Sequence, residues 1–292
     1  MTRRVALILN PAAGGGRAAR TLPAVERTLE AAGVEHTSHH ATDVDHARAL
    51  AREAASDGIV AVALGGDGLV GALAGALAPV PGAVLGILPC GRGNDLARVL
   101  GIPRRPLDAC AVLAGGVERE IDLGAAGDHL FAGVASAGFD SDANRIANTA
   151  PAWLGQLVYL YGALRALAAW RPATFQIVLD GQEHSFHGYG FAAANSGTYG
   201  GGMRVAPEAR LDDGMLDIVM ISDVAKPRFL VLLPSVFRGT HVRISAVRVL
   251  RGRELRVSAD RPFQVYADGD AVAELPLELR AVPRAIRVLV PA

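Results

Sequence analysis

The 292-residue sequence predicts an α/β N-terminal domain built on a parallel sheet, followed by an all-β, sandwich-like C-terminal domain. Three observations predict this. Strand and helix signals alternate to about residue 120, the order that builds a parallel sheet covered by helices. Beyond it, short strands follow one another closely, with Asp180-Gly181 and Asp268-Gly269 as turn dipeptides. Hydrophobic residues make up 51% of the chain and charged residues 20%, enough for substantial cores and too apolar for disorder. The boundary falls near residue 122. The first domain spans 1–122 and the second 123–282, with a tail at about 283–292 that returns to the first.

Taken in order, "RVALILN" reads as a buried strand and residues 17–32 as a helix ending near Gly33. "VEHTSHHA" is a second strand. Asp43 precedes the helix "VDHARALAREAAS", Asp45 supplies first-turn charge, and Gly58 ends it. "IVAVAL" is a strand, "GLVGALAGAL" a helix, "AVLGILP" a strand and "NDLARVLGI" a helix. Past the boundary, "EIDLGAAGDHLFAGVASAGFD" reads as a hairpin with a Gly-Asp turn, and residues 151–170 as a helix. Strands follow in "TFQIVLDGQEHSFHGYGFAAAN", "LDIVMIS", "RVLRGRELRVSAD", "FQVYADGDAVAEL" and "AIRVLV". "FLVLLPSVF", flanked by Lys226, Arg228 and Arg238, has two readings: a buried helix of the second domain, or an apolar membrane contact with basic edges.

Composition excludes several classes. With 29 basic and 29 acidic residues the chain has no general drive toward nucleic acid, and none is expected as a partner. Cys90 and Cys110 sit in neither a CxxC nor a metal-ligand spacing and read as small buried residues in a reducing compartment. The apolar stretch before Asn10-Pro11 is too short for a signal peptide. "WLGQLVYLYGALRALAAW" is cut by Gln156 and Arg165, which suits an amphipathic helix better than a membrane span. A cytoplasmic protein is expected.

Chemistry concentrates in three strand-to-helix turns. "NPAAGGGRAAR" follows the first strand, "GGDGL" the third, and "PCGRGNDLAR" the fourth. Small residues at a helix N-terminus expose main-chain N–H groups to phosphate, and all three turns converge at the carboxyl ends of parallel strands. Neither common nucleotide fingerprint fits. Lys226 is remote from every glycine turn, so no GxxxxGK[ST] exists, and Asp67 would repel a pyrophosphate. A Mg²⁺ ion between Asp67 and nucleotide phosphates removes that conflict. The competing reading of Asp67 is a turn former or helix cap.

Asn10-Pro11 with its glycines, "GGDGL", "PCGRGNDLAR", "APEARLDDGMLDIVMI" and "ADGD", in this order, resemble the diacylglycerol kinase catalytic family, which includes bacterial lipid kinases, sphingosine kinases and ceramide kinases. The resemblance spans roughly residues 5 to 270. It implies an N-terminal domain like those of NAD kinases and phosphofructokinases, a C-terminal β-sandwich, and an ATP site in the cleft. Asn10, Pro11, Ala12, Ala13 and Gly14 resemble the first nucleotide loop, and Thr42 a nucleotide contact with an ordinary helix cap as its alternative. Gly66, Asp67, Gly68, Leu69, Val70, Gly71 and Ala72 resemble the phosphate turn, and Arg92, Asn94 and Asp95 the third loop.

The resemblance further implies that Asp95 and Asp122 join Asp67 in an acidic cluster for catalytic Mg²⁺. Asp122 alone reads as a strand-end acid. Asp213, with main-chain oxygens of Arg210 and Met215, resembles a structural or regulatory metal site; its alternative is an Asp-Gly turn. "NSGTYGGGMRVAPEA" resembles a loop that faces the cleft and walls the lipid site. Leu69 and Arg92 stand where many relatives carry threonine. Asp270 stands where bacterial members carry the glutamate taken as general base, so "DGD" replaces Asp-Gly-Glu.

The activity expected is ATP- and Mg²⁺-dependent phosphorylation of a lipid hydroxyl, diacylglycerol first, with Asp270 and Asp67 as catalytic acids and Asp270 on the lipid side. Arg17 or Arg92 would stabilise transferring charge. The partners expected are ATP and a lipid at the membrane surface, with transient membrane association and a homodimer left open. The alternatives are a sphingoid, ceramide or other kinase of the superfamily, and a nucleotide-binding regulator without catalysis.

Overall fold

The computed structural model describes residues 3–11, 15–139, 141–142, 146 and 158–292. Strand β1 (Arg4–Leu9) is buried from Val5 onward and pairs in parallel with β2 (Glu35–His40) and β3 (Val60–Gly65). Strand β4 (Val84–Pro89) lies parallel beside β3. Helices α1 (Arg17–Ala31), α2 (Val44–Ser56) and α3 (Asp67–Leu77) carry the crossovers. Helix α2 starts where a side-chain oxygen can take an orphan N–H: Asp43 Oδ1 accepts from His46 N at 2.8 Å. Leu7, Ile8, Leu29, Leu64 and Leu85 are fully buried between sheet and helices.

The expected helix after the third turn is short, α4 (Asp95–Val99). Helix α5 (Pro106–Gly115), which the sequence reading does not provide, follows it; Pro106 in its first turn is the signal that marks it. Strand β5 (Val117–Ala126) then turns at Gly127-Asp128 into β6 (His129–Phe131), and β7 (Val134–Gly138) leaves to pair with later strands. Of the helix expected over 151–170, α6 (Val158–Ala169) is described and 151–157 lie outside the described residues.

The second domain is the β-sandwich-like part. It contains β8 (Ala173–Leu179), β9 (Gln182–Ala194), β10 (Leu216–Ser222), β11 (Val247–Gly252), β12 (Glu254–Ala259), β13 (Gln264–Ala267) and β14 (Asp270–Glu274). Phe131, Phe175, Tyr189 and Val257 fill its core. "FLVLLPSVF" forms most of α7 (Lys226–Arg238), but only Phe229 of the helix is fully buried.

The last strand, β15 (Leu277–Val290), is longer than "AIRVLV" suggested and joins the strands of the two domains into one sheet, lying between β12 and β4. Its first half pairs with β12, its length runs antiparallel to β5, and Arg287 and Val288 lie beside Val84 and Leu85 of β4. The register with β5 shifts between Val282 and Ile286, and at this bulge Arg284 turns its N–H to Asp122 Oδ1 at 2.7 Å.

Candidate functional site

Gly65 pairs with Pro89 across β3 and β4, so the second and third glycine turns leave the sheet side by side. They interlock through bare backbone. A Cβ on Gly91 would lie 2.4 Å from Gly66 Cα, so a side chain at Gly91 would separate the turns. Asn94 braces the third turn, its Oδ1 accepting from Gly91 N at 2.8 Å and its Nδ2 donating to Gly91 O at 3.1 Å. Arg17, at the start of α1, donates to Gly91 O at 3.0 Å and ties the first turn to the third.

Asp67 is the latch between the turns. Its Oδ2 accepts from Asn94 N at 2.7 Å and its Oδ1 from Asp95 N at 2.6 Å. It therefore holds the N-terminus of α4 while itself opening α3. Asp95 reaches the other way, its Oδ2 accepting from Gly201 N of the second domain at 2.7 Å. The two carboxylates flank Gly93: a Cβ there would lie 2.7 Å from Asp67 Oδ2 and 3.1 Å from Asp95 Oδ2. Burial, helped by the charge of Asp67, pushes the Asp95 carboxyl up, against the pull of Gly201 N–H and Arg98.

Asp95 Oδ1 is buried without a hydrogen-bond partner, and Arg98 Nε is no closer than 3.9 Å. An orphaned carboxylate oxygen beside a second carboxylate fits a cation, so Asp67 and Asp95 suit Mg²⁺. Asp122 does not join them. Its residue is 1% exposed, and its carboxylate accepts from Gly214 N and Arg284 N, both at 2.7 Å. This corrects the expected three-acid cluster: Asp122 pins the β15 bulge to the turn before β10. Among the described residues no group of three or more His, Cys, Asp or Glu side chains is placed to hold a metal.

Asp213 is held by internal contacts. Asp213 Oδ1 accepts from Met215 N at 3.0 Å, while the Arg251 guanidinium bonds its Oδ2. The Arg210 side chain turns to Asp212, 3.1 Å away. Arg251 also lies 3.5 Å from Asp217, whose carboxyl burial pushes up to about 6 from an ordinary 3.8. A raised value means that its stabilising contribution is full below about pH 3.8 and is lost as pH rises through about 6. Asp217→Asn should therefore flatten the pH dependence of stability between those values. Urea unfolding of both proteins at several pH values checks this; parallel curves would rule it out.

The other expected residues fall into three groups. Asn10 and Pro11 end β1, but Ala12, Ala13 and Gly14 lie outside the described residues. Thr42 is exposed and donates to Asp43 Oδ2 at 3.0 Å, so the cap is Asp43. Gly68 and Arg92 are exposed, whereas Val70 is buried and its N–H is taken by Gly66 O. Leu69 packs over Gly65.

Gly71 and Ala72 line a cavity of about 290 Å³ between the domains, with Arg48, His129, Asp268 and Asp270 among the other walls. Asp270 is exposed there, at the start of β14 and opposite α3. Asp268 instead bonds inward, its Oδ2 to Ala132 N at 2.8 Å and its Oδ1 to Gly133 N and Val134 N at 2.9 and 3.1 Å. Burial pushes its carboxyl up to about 6 against those three donors. His129 and Arg48 are wall residues that sequence reading missed; neither stands in a glycine motif. Burial pulls the His129 imidazole down, Arg48 adds to this, and Asp270 opposes it.

Residues 4–126 match the family model of the diacylglycerol kinase catalytic domain, and residues 133–290 that of the YegS C-terminal NAD kinase beta sandwich-like domain. A diacylglycerol kinase of Mycobacterium tuberculosis (strain ATCC 25618 / H37Rv) is 36% identical over 300 residues, covering 99% of this chain and 95% of its own. One from Bacillus subtilis (strain 168) is 29% identical over 293 residues, covering 99% and 97%. A crystal structure of a diacylglycerol kinase from Bacillus anthracis str. Sterne shares the fold with TM-score 0.76 at 20% identity, covering 99% of this chain and 97% of that one.

Proposed function

We propose, from the premise that this chain belongs to the diacylglycerol kinase family of kinases, that it transfers the γ-phosphoryl group of ATP to a lipid hydroxyl, with diacylglycerol as acceptor and phosphatidic acid as product. The observation that carries this reading is the pair Asp67 and Asp95 flanking Gly93, where two interlocked glycine turns meet Gly201 of the second domain. Phosphoryl transfer asks for positioning and charge neutralisation more than for covalent chemistry, and this corner is built for both.

The main-chain N–H groups at the start of α3 receive phosphate oxygens, with Gly66 and Gly68 leaving the approach open. Mg²⁺ bound by Asp67 and Asp95 would supply neutralisation of phosphate charge. Arg17 is committed to Gly91 O, so it shapes the turn. Arg92, exposed on that same turn, is the arginine left to meet the transferring group. Asp270 faces the cavity from the second domain and accepts the hydroxyl proton as the acceptor oxygen attacks. Among the described residues no helix is long and apolar enough to cross a membrane. On this reading the lipid is taken at a membrane surface.

The test is a panel of diacylglycerol, sphingoid base, ceramide and NAD with γ-labelled ATP and Mg²⁺. Label should enter phosphatidic acid. Label in another acceptor alone, or nucleotide binding without turnover on any of them, overturns the reading.

A further inference from the structure

Helix α7 is apolar on two sides, and only one of them is covered. Phe229 faces inward, 6% exposed, stacked on Tyr189 with ring centroids 4.0 Å apart. Leu233 packs on the same core. The outer side repeats apolar residues at three- and four-residue spacing: Pro227, Leu230, Val231, Pro234 and Phe237. Val231 is 76% exposed, Phe237 58% and Leu230 38%. An apolar stripe on a helix is ordinarily covered, and among the described residues the outer stripe has no such cover.

Charge identifies the partner. The chain as a whole is neutral, yet no acid occurs between Asp223 and Glu254, a stretch that holds Lys226 and six arginines. Lys226, Arg228 and Arg238 are exposed on α7 itself, and Arg243 is exposed on the turn after it. Lys226 Nζ donates to Ala168 O at 2.9 Å, which fixes α7 beside α6. Ala166 and Ala169 of α6 line a cavity of about 300 Å³ in the second domain, walled also by Trp170, Arg171 and Phe263. An apolar stripe with a cationic rim and no acid on the helix itself complements a bilayer carrying anionic headgroups.

We infer that the outer face of α7 is the surface by which this protein docks on an anionic phospholipid bilayer, Leu230, Val231 and Phe237 entering the headgroup boundary while Arg228 and Arg238 meet phosphates. This rests on the lipid-kinase reading, but its test is binding without ATP, so a wrong choice of phosphoryl acceptor leaves the vesicle result standing.

The experiment is cosedimentation of the full chain with phosphatidylcholine vesicles, with and without phosphatidylglycerol. The parent should partition at least about tenfold more strongly onto the anionic vesicles, and less as salt rises. The double variant Val231→Glu/Phe237→Glu should lose at least about tenfold of that binding with an unchanged melting curve. Arg228→Gln/Arg238→Gln should lose the preference for anionic lipid, which keeps the test open if the first variant misfolds. Equal partition onto both vesicles by the parent overturns the inference, as does parental binding by either folded variant. A fall from dimer to monomer in Val231→Glu/Phe237→Glu, with vesicle binding intact, would assign the face to a second copy and overturn it too.

Discussion

Asp67→Ala is expected to lower turnover by about 10²–10³-fold, the scale lost when a preorganised electrostatic group is removed from a transferring centre. Two effects add. The cleft loses one of the two carboxylates suited to Mg²⁺, and Asn94 N and Asp95 N lose their shared acceptor. The second effect also reaches stability, by roughly 1–3 kcal/mol for donors left unsatisfied in a half-buried place. Asp67→Asn separates the contributions, since its amide oxygen still accepts one N–H but carries no charge. It should recover part of the stability and little of the rate. Steady-state rates on purified, folded proteins with matched melting curves decide this; a parental rate in Asp67→Ala would remove Asp67 from the mechanism.

Two aspartates of one turn should give opposite signatures. Asp270→Asn should keep the melting temperature, because the side chain is exposed, and lose about 10²–10⁴ in turnover as the proton acceptor is neutralised. Asp270→Glu, which lengthens the side chain by one methylene, should retain substantial activity. Asp268→Ala should unfold readily, with a loss of about 3 kcal/mol or more, because three main-chain donors at Ala132, Gly133 and Val134 lose their acceptor together. Thermal melts and initial rates on the same preparations give both readouts. A full rate in folded Asp270→Asn would pass the base role to Asp67.

The elements that were legible in the sequence are those whose signals are local. β1, β3 and β4 are near-continuous apolar runs, and α2 ends where Asp43 and Gly58 say it should. The glycine turns were legible as chemistry for the same reason, because bare backbone around one acid is visible without knowing what lies opposite. What lies opposite was not. Asp122 looks like a metal acid until the β15 bulge brings Arg284 N to it. That correction comes from a residue far along the chain, whose position is set by strand register and not by any motif. Helix α7 was ambiguous because an apolar run carries no record of which side will be covered.

The strand β15 sets an order of events during synthesis. The growing chain can make β1 through β4 early, but the outer edge of β4 stays open until Arg287 and Val288 emerge to pair with it. Strand β5 likewise waits for the same late segment. Until then the nucleotide half of the protein presents unpaired N–H and C=O groups beside Val84 and Leu85, a template for pairing with other nascent chains. A chain stopped before Ile286 would keep every glycine turn and still leave that edge bare, so its fate would be aggregation before catalysis was ever at issue.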